Sequence, residues 1–121
     1  MFGGTAMEVL SAAEQTSDGG YILAGTTNSS ASGDLSQTNY GQEDAWVVKL
    51  NAAGNIVWNK IFGGTNADFA TSITQTFDGG YILAGYTMSS GTGTISSTNH
   101  DPSGNSNDMW ITRLDSNGSI L

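Results

Sequence analysis

An internal repeat constrains the fold of this chain more than any other feature of its sequence. Phe-Gly-Gly-Thr at residues 2–5 returns sixty positions later at residues 62–65. Asp-Gly-Gly-Tyr-Ile-Leu-Ala-Gly at residues 18–25 returns unchanged at residues 78–85, with the same offset. Self-similarity at a fixed period indicates that one supersecondary unit is present twice.

The repeat continues to the end of the chain, with one insertion. Asp-Ala-Trp-Val-Val-Lys-Leu at residues 44–50 matches Asp-Met-Trp-Ile-Thr-Arg-Leu at residues 108–114, so the offset has grown to sixty-four. The added residues fall near residues 100–107. We therefore assign residues 1–61 to the first repeat and residues 62–121 to the second.

Each repeat is predicted to form four antiparallel strands. Four short apolar segments are separated by turn signals, and in the better-formed copies they lie at residues 70–76, 80–87, 44–50 and 55–62. Asp-Gly-Gly between the first two segments favours a tight hairpin, because glycine accepts the positive φ of such turns. The long polar stretches at residues 28–43 and 89–107 are expected to be surface loops.

The composition supports an all-β chain. Only 12% of the residues are charged and 17 are glycine, whereas Ser, Thr and Asn are abundant, and this mixture disfavours helices. Four antiparallel strands per repeat are typical of a β-propeller blade. The sequence thus predicts two four-stranded blades.

The residues also resemble the bacterial β-propeller repeats of the SBBP type over nearly the whole chain. The resemblance rests on residues 44–50, Gly54, Trp58, residues 62–65, Asp68 and residues 78–87. It implies an exported or surface-attached bacterial protein, and therefore an extracellular or cell-surface location, rather than a particular reaction. The first residues contain no signal peptide, which is expected if an export signal has been removed.

Two blades are too few for a propeller ring, which normally contains four to eight. The second repeat lacks counterparts of residues 58–61, so its last strand is predicted to be truncated. We expect copies of the chain to associate head to tail until the ring closes, with a trimer or tetramer favoured over other states.

Charge and cysteine content exclude several classes of partner and site. The net charge of −8 disfavours nucleic acid, and no apolar run is long enough to insert into a membrane. The absence of cysteine removes thiolate chemistry and Cys-ligated metals.

Large aromatic residues within the apolar segments are expected to pack in the core of the blades. An exposed tryptophan could instead stack against a sugar. The residues assigned to the blade core are Trp46, Trp58, Trp110, Tyr21, Tyr81 and Phe62.

One loop offers oxygen ligands at alternate positions. Asp101, Asn105 and Asp108 lie in the inserted segment and could hold Ca²⁺, which prefers such ligands. The loop lacks the glycine placement and the distal glutamate of an EF-hand, so an ordinary turn-rich loop is the alternative.

No constellation of residues indicates catalysis, and no cofactor is expected. Asp18 and Asp78 open hairpin turns, where a carboxylate can accept backbone N–H bonds. His100 stands beside Asp101, but nothing in the sequence singles out a nucleophile. We expect a non-enzymatic structural or interaction scaffold. The alternative is a multivalent carbohydrate-binding propeller that uses the polar loops and an exposed aromatic such as Tyr40.

Overall fold

The chain is all-β, with two antiparallel sheets and no helix among the described residues. A computed structural model describes residues 1–101 and 103–121. The first sheet has the order β1-β2-β3-β4 and the second the order β5-β6-β7. The strands are β1 (Glu8–Gln15), β2 (Tyr21–Thr27), β3 (Asp44–Leu50), β4 (Ile56–Phe62), β5 (Asp68–Gln75), β6 (Tyr81–Thr87) and β7 (Asp108–Leu114).

The predicted all-β class is confirmed, and the strands lie close to their predicted positions. Strand β5 begins at Asp68, earlier than expected from the apolar pattern, because a buried carboxylate rather than an apolar side chain opens it. In the second sheet Ile120 forms an isolated bridge with Leu114, and Leu121 N donates to Arg113 O at 2.9 Å. A fourth strand therefore only starts in the described part of this repeat.

A tight hairpin joins the first two strands of each sheet. Gly19 and Gly79 have φ of +81° and +85° in the turns that follow β1 and β5. A side chain with a Cβ rarely adopts this conformation, so the Asp-Gly-Gly sequence fixes the turn. Both first strands carry a register shift at the same repeat position, between Leu10 and Ala12 and between Ala70 and Ser72.

The two sheets pack face to face through one set of apolar residues. Strand alternation places Ile22, Ala24, Ala45, Val47 and Phe62 on one face of the first sheet. They form a single core cluster with residues of the second sheet, namely Ala70, Ile73, Tyr81, Leu83, Trp110 and Leu114. The two repeats thus stack through different faces. The face that is covered in the first sheet has its repeat counterpart on the exposed face of the second sheet.

A second cluster lies on the other face of the first sheet. Trp46, Val48, Leu50 and Ile61 pack there against Leu35, which comes from the long polar loop at residues 28–43. Ile95 is the buried counterpart of Leu35 in the loop at residues 89–107. The loops are therefore partly anchored in the core, and the prediction that they are simply surface loops was incomplete.

Candidate functional site

One face of the first sheet is left open at its β1–β2 side. Leu10 is 64% exposed and Tyr21 is 40% exposed on this face, beside the half-buried Leu23. Their counterparts in the second repeat, Ala70 and Tyr81, are buried against the first sheet. We call Leu10, Ala13, Tyr21 and Leu23 the first open face.

The second sheet is open on its opposite side. Met109 is 84% exposed and Ile111 is 60% exposed, whereas their counterparts Ala45 and Val47 are fully buried between the sheets. Ile82 and Ala84 pair with β7 on the same face and are half-buried. We call Ile82, Ala84, Met109 and Ile111 the second open face.

A pair of fully buried carboxylates lies where the two sheets meet. Asp44 opens β3 and accepts hydrogen bonds from Tyr40 N at 2.6 Å and Gly41 N at 3.3 Å. Asp68 opens β5 and accepts from Gly64 N at 2.7 Å. A Cβ on Gly63 would lie 2.7 Å from Asp44 Cγ and 2.9 Å from Asp68 Oδ2, so the backbone runs between the two acids.

Burial and the neighbouring charge alter the titration of this pair. Burial, reinforced by the charge of Asp68, raises the pKa of Asp44 to about 6. Among the described residues, Asp44 Oδ1 is the buried side-chain atom that lacks a hydrogen-bond partner. A proton on Asp44 therefore relieves both the desolvation of the carboxylate and the repulsion from Asp68.

Asp68 belongs to a network that occurs once in each repeat. It accepts from Ser89 Oγ at 2.8 Å and also from Thr87 Oγ1. In the first repeat Glu8 accepts from Gly4 N and from the hydroxyls of Thr27 and Ser29. These acids join the start of the first strand to the loop after the second strand, which holds the Gly-Gly segment in place.

The turn aspartates pair with a cation on the third strand of their own sheet. Asp18 accepts from Thr16 Oγ1, from Gly20 N at 2.9 Å and from Lys49 Nζ at 3.0 Å. The bond from Thr16 is the main reason that the pKa of Asp18 is lowered, and the bonds from Gly20 and Lys49 add to it. Asp78 pairs with Arg113 in the same way. The predicted turn role of both aspartates thus matches their contacts.

The residues predicted as a possible calcium site lie in one loop, and their side chains form hydrogen bonds with neighbouring residues of that loop. Asp101 accepts from Ser103 N at 3.0 Å and from Ser103 Oγ, which lowers its pKa. Asn105 Nδ2 donates to Ser103 Oγ at 2.9 Å. Within the described ranges no group of three or more His, Cys, Asp or Glu side chains is placed to hold a metal. Pro102 of this loop lies outside those ranges.

His100 pairs with the third residue of that predicted site. Its backbone N donates to Asp108 Oδ2 at 2.7 Å, and Nδ1 lies 2.7 Å from the same oxygen. The backbone bond is the main reason that the pKa of Asp108 is lowered. The histidine therefore contacts Asp108 rather than the adjacent Asp101, and its side chain is almost fully exposed.

The six aromatic residues assigned to the core occupy three environments. Trp46, Trp110, Tyr81 and Phe62 are buried. Trp58 is half-buried, contacts Tyr81 edge to face at 5.9 Å between ring centroids, and donates to Ser116 O at 3.1 Å. Tyr21 is instead partly exposed, because no sheet covers the first open face.

Comparisons with known proteins do not place this chain in a family. No protein-family model matches the sequence, and no curated protein is found as a relative. In the described residues there is no helix that is long and apolar enough to cross a membrane.

Proposed function

We propose that the chain is a non-enzymatic repeat module of the β-propeller type, in which each sheet is one blade, and that copies associate head to tail into a closed ring. The observation that carries this proposal is the relation between the covered and the open faces. Within one chain, the covered face of the first sheet packs against the covered face of the second sheet. The second open face is the repeat counterpart of the first of these two surfaces, and the first open face is the repeat counterpart of the other.

Association through these faces would repeat the contact that already joins the two sheets within one chain. Leu10 and Tyr21 of one copy would take the places of Ala70 and Tyr81 against the neighbouring copy. Because the two faces are unlike, the contact is heterologous, and it gives a closed ring when the rotation per copy divides a full turn. Two blades per chain make every closed ring even-numbered, with six blades for a trimer and eight for a tetramer.

The exposed apolar side chains make this association favourable. Full burial of a leucine-, isoleucine- or methionine-sized side chain contributes about 1.5–3 kcal/mol. Leu10, Met109 and Ile111 are each more than half exposed in the isolated chain. Several kcal/mol per contact is therefore available to offset the entropy lost on association.

The junction chemistry supports the same arrangement. Asp44 and Asp68 meet at the contact between the sheets of one chain. The corresponding residues at a contact between copies would be Asp108 and Glu8. Both already hold their local loops through backbone N–H groups, as Asp44 and Asp68 do.

The proposal is tested by placing a charge on the second open face. Ile111→Glu should dissociate the assembly into monomers, because the carboxylate would be buried without a partner at the contact. Ala53→Glu is the control, since Ala53 is exposed in the turn between β3 and β4 and lies on neither sheet face. Sedimentation velocity should show monomers for the first variant and the unchanged oligomer for the second.

Two results would refute the proposal. One is an unmodified protein that sediments as a monomer at every concentration. The other is an oligomer that survives Ile111→Glu while the variant keeps its β-sheet circular dichroism spectrum.

A further inference from the structure

A cleft lies between the two sheets, beside the first strand of each. It encloses about 220 Å³, which is less than the roughly 300–1,000 Å³ of a site for a drug-sized ligand. The first sheet and the residue before β3 form one wall, and β5 with the end of β6 forms the other, so both walls lie within one chain. We call it the inter-sheet cleft, and its lining includes Met7, Val9, Thr26, Glu43, Phe69 and Tyr86.

Glu43 gives the cleft an unpaired negative charge. The residue is half-buried, and within the described part of the chain its carboxylate forms neither a hydrogen bond nor an ion pair. Every other Asp and Glu accepts at least one hydrogen bond. The three Lys and Arg side chains contact Asp18, Asp78 and Ser119 instead. The described residues therefore offer Glu43 no cation.

An aromatic pair lies next to this carboxylate residue. Asp68 N donates to Glu43 O at 2.6 Å, so the segment that contains Glu43 runs beside the start of β5. The next residue of β5, Phe69, stacks on Tyr86 of β6 with ring centroids 4.8 Å apart and 27° between the ring planes. The π face of an aromatic ring attracts a cation, and more strongly where water is excluded. A carboxylate and two rings along one cleft thus favour a positively charged ligand.

The remaining lining favours a cation whose charge is spread over methyl groups. Met7 is 58% exposed and Val9 is 50% exposed, and both offer apolar surface to the cleft. A primary ammonium group needs acceptors for its three N–H groups. A quaternary ammonium group needs none, and proteins bind it with aromatic side chains. The cleft therefore suits a quaternary ammonium group better than a primary amine.

The two repeats differ at the residues that give the cleft these properties. Thr26 occupies the position of Tyr86 in the first repeat, and Asn107 occupies the position of Glu43 in the second. The acid thus comes from the first repeat and the aromatic pair from the second. They meet where the two sheets of one chain face each other, which gives one site per chain.

We propose that the inter-sheet cleft binds a small, free organic cation through a quaternary ammonium head. The head lies between the Glu43 carboxylate and the pair formed by Phe69 and Tyr86, with its methyl groups against Met7 and Val9. This binding site goes beyond the proposed scaffold role. It does not depend on ring formation, since one chain supplies both walls.

The test compares choline with its uncharged analogue, in which a carbon atom replaces the quaternary nitrogen. Each compound is titrated into ¹⁵N-labelled protein while the backbone amide resonances are followed by NMR. Choline should shift the amides of Glu43, Phe69 and Tyr86, with a millimolar dissociation constant and one site per chain. It should bind about tenfold more tightly than the analogue, because neither the carboxylate nor the rings attract an uncharged head in the same way.

A matched pair of variants separates this site from the general negative charge of the chain. Glu43→Gln should reduce the affinity for choline to about that of the analogue. It should also fold normally, because the Glu43 carboxylate bonds no described residue. Asp115→Asn removes the same charge outside the cleft and should keep the tenfold preference. This control is conservative, since its repeat counterpart Asn51 accepts the equivalent turn bonds.

A second pair of variants tests the aromatic wall. Tyr86→Thr places the first-repeat residue at this position and should weaken choline binding about two- to fivefold. Tyr86→Phe keeps the ring and should bind choline as the unmodified protein does. The amide spectrum of each variant shows whether it is folded.

The inference is overturned if choline and its analogue bind equally, if a large excess of choline shifts no amide of the cleft, or if folded Glu43→Gln keeps the preference. Loss of the preference in Asp115→Asn would also overturn it, since the attraction would then come from net charge. A peptide with one trimethyllysine carries the same head on a side chain. Tighter binding of that peptide than of choline would contradict a free ligand.

Light scattering on the same samples keeps this result separate from the ring. The preference for choline is expected for a monomer and for a ring alike. Choline binding to a monomer would support the cleft and refute the ring, whereas a closed ring without the preference would do the reverse.

Discussion

Replacing Asp44 by asparagine is expected to stabilise the protein at neutral and higher pH and to have little effect near pH 4. Asp44 is fully buried, its Oδ1 lacks a partner among the described residues, and Asp68 lies close by. An asparagine can accept the same bonds from Tyr40 N and Gly41 N. It also places an uncharged NH₂ group where the unpaired oxygen lies.

The magnitude follows from the pKa of Asp44. Burial and the charge of Asp68 raise that pKa from 3.8 to about 6 in the folded protein. The native state therefore binds this proton more tightly than the unfolded chain does. Stability from the protonated form is fully present below about pH 4 and is lost as pH rises through about 6. At 1.36 kcal/mol per pKa unit, the loss amounts to about 3 kcal/mol.

Urea denaturation between pH 4 and pH 8 measures the effect as a difference between two proteins. The free energy of unfolding of Asp44→Asn minus that of the unmodified chain should rise from near zero to about 3 kcal/mol across this range. Asp108→Asn is the matched control at the same repeat position. The pKa of Asp108 is lowered by its bond from His100 N, so this change should not stabilise the protein at pH 8. Parallel curves for the unmodified chain and Asp44→Asn would refute the reasoning.

Two further changes test the packing by melting temperature and urea denaturation. Gly63→Ala should lower the free energy of unfolding by about 1–3 kcal/mol, because the added Cβ would lie 2.7 Å from Asp44 Cγ. Gly3→Ala should lower it by less than about 1 kcal/mol, because the added Cβ would meet only the end of the longer Glu8 side chain. Equal losses would show that the space beside Asp44 is not tight. Leu35→Ala should cost about 2–5 kcal/mol as a buried core residue, and Thr38→Ala in the same loop should stay within about 0.5 kcal/mol. A Leu35→Ala loss as small as that of Thr38→Ala would mean that the loop is not anchored in the core.

The strands and their order were within reach of sequence reasoning because the repeat states the pattern twice. The first three apolar segments and the Asp-Gly-Gly turn occur in both copies, and the hairpins have the expected positive φ at Gly19 and Gly79. The anchoring of the long loops was missed, since Leu35 and Ile95 are single apolar residues in polar surroundings. Their offset of sixty was the available signal.

The contacts across the two sheets could not be read from the repeat. Asp44 and Asp68 each mark the start of a strand, but their proximity depends on how one sheet stacks on the other. A groove beside β7 was foreseen only as a truncated strand. Ser96 and Trp110, which line this groove, were themselves within reach of the repeat, since they lie sixty and sixty-four residues after Ser36 and Trp46.

The absolute mass of the unmodified chain in solution, measured by light scattering over a range of concentrations, tests the central claim most directly. Head-to-tail closure predicts one discrete mass, three or four times the chain mass of 12.5 kDa, that does not grow further with concentration. A folded monomer at every concentration, or a mass that increases without limit, would contradict it.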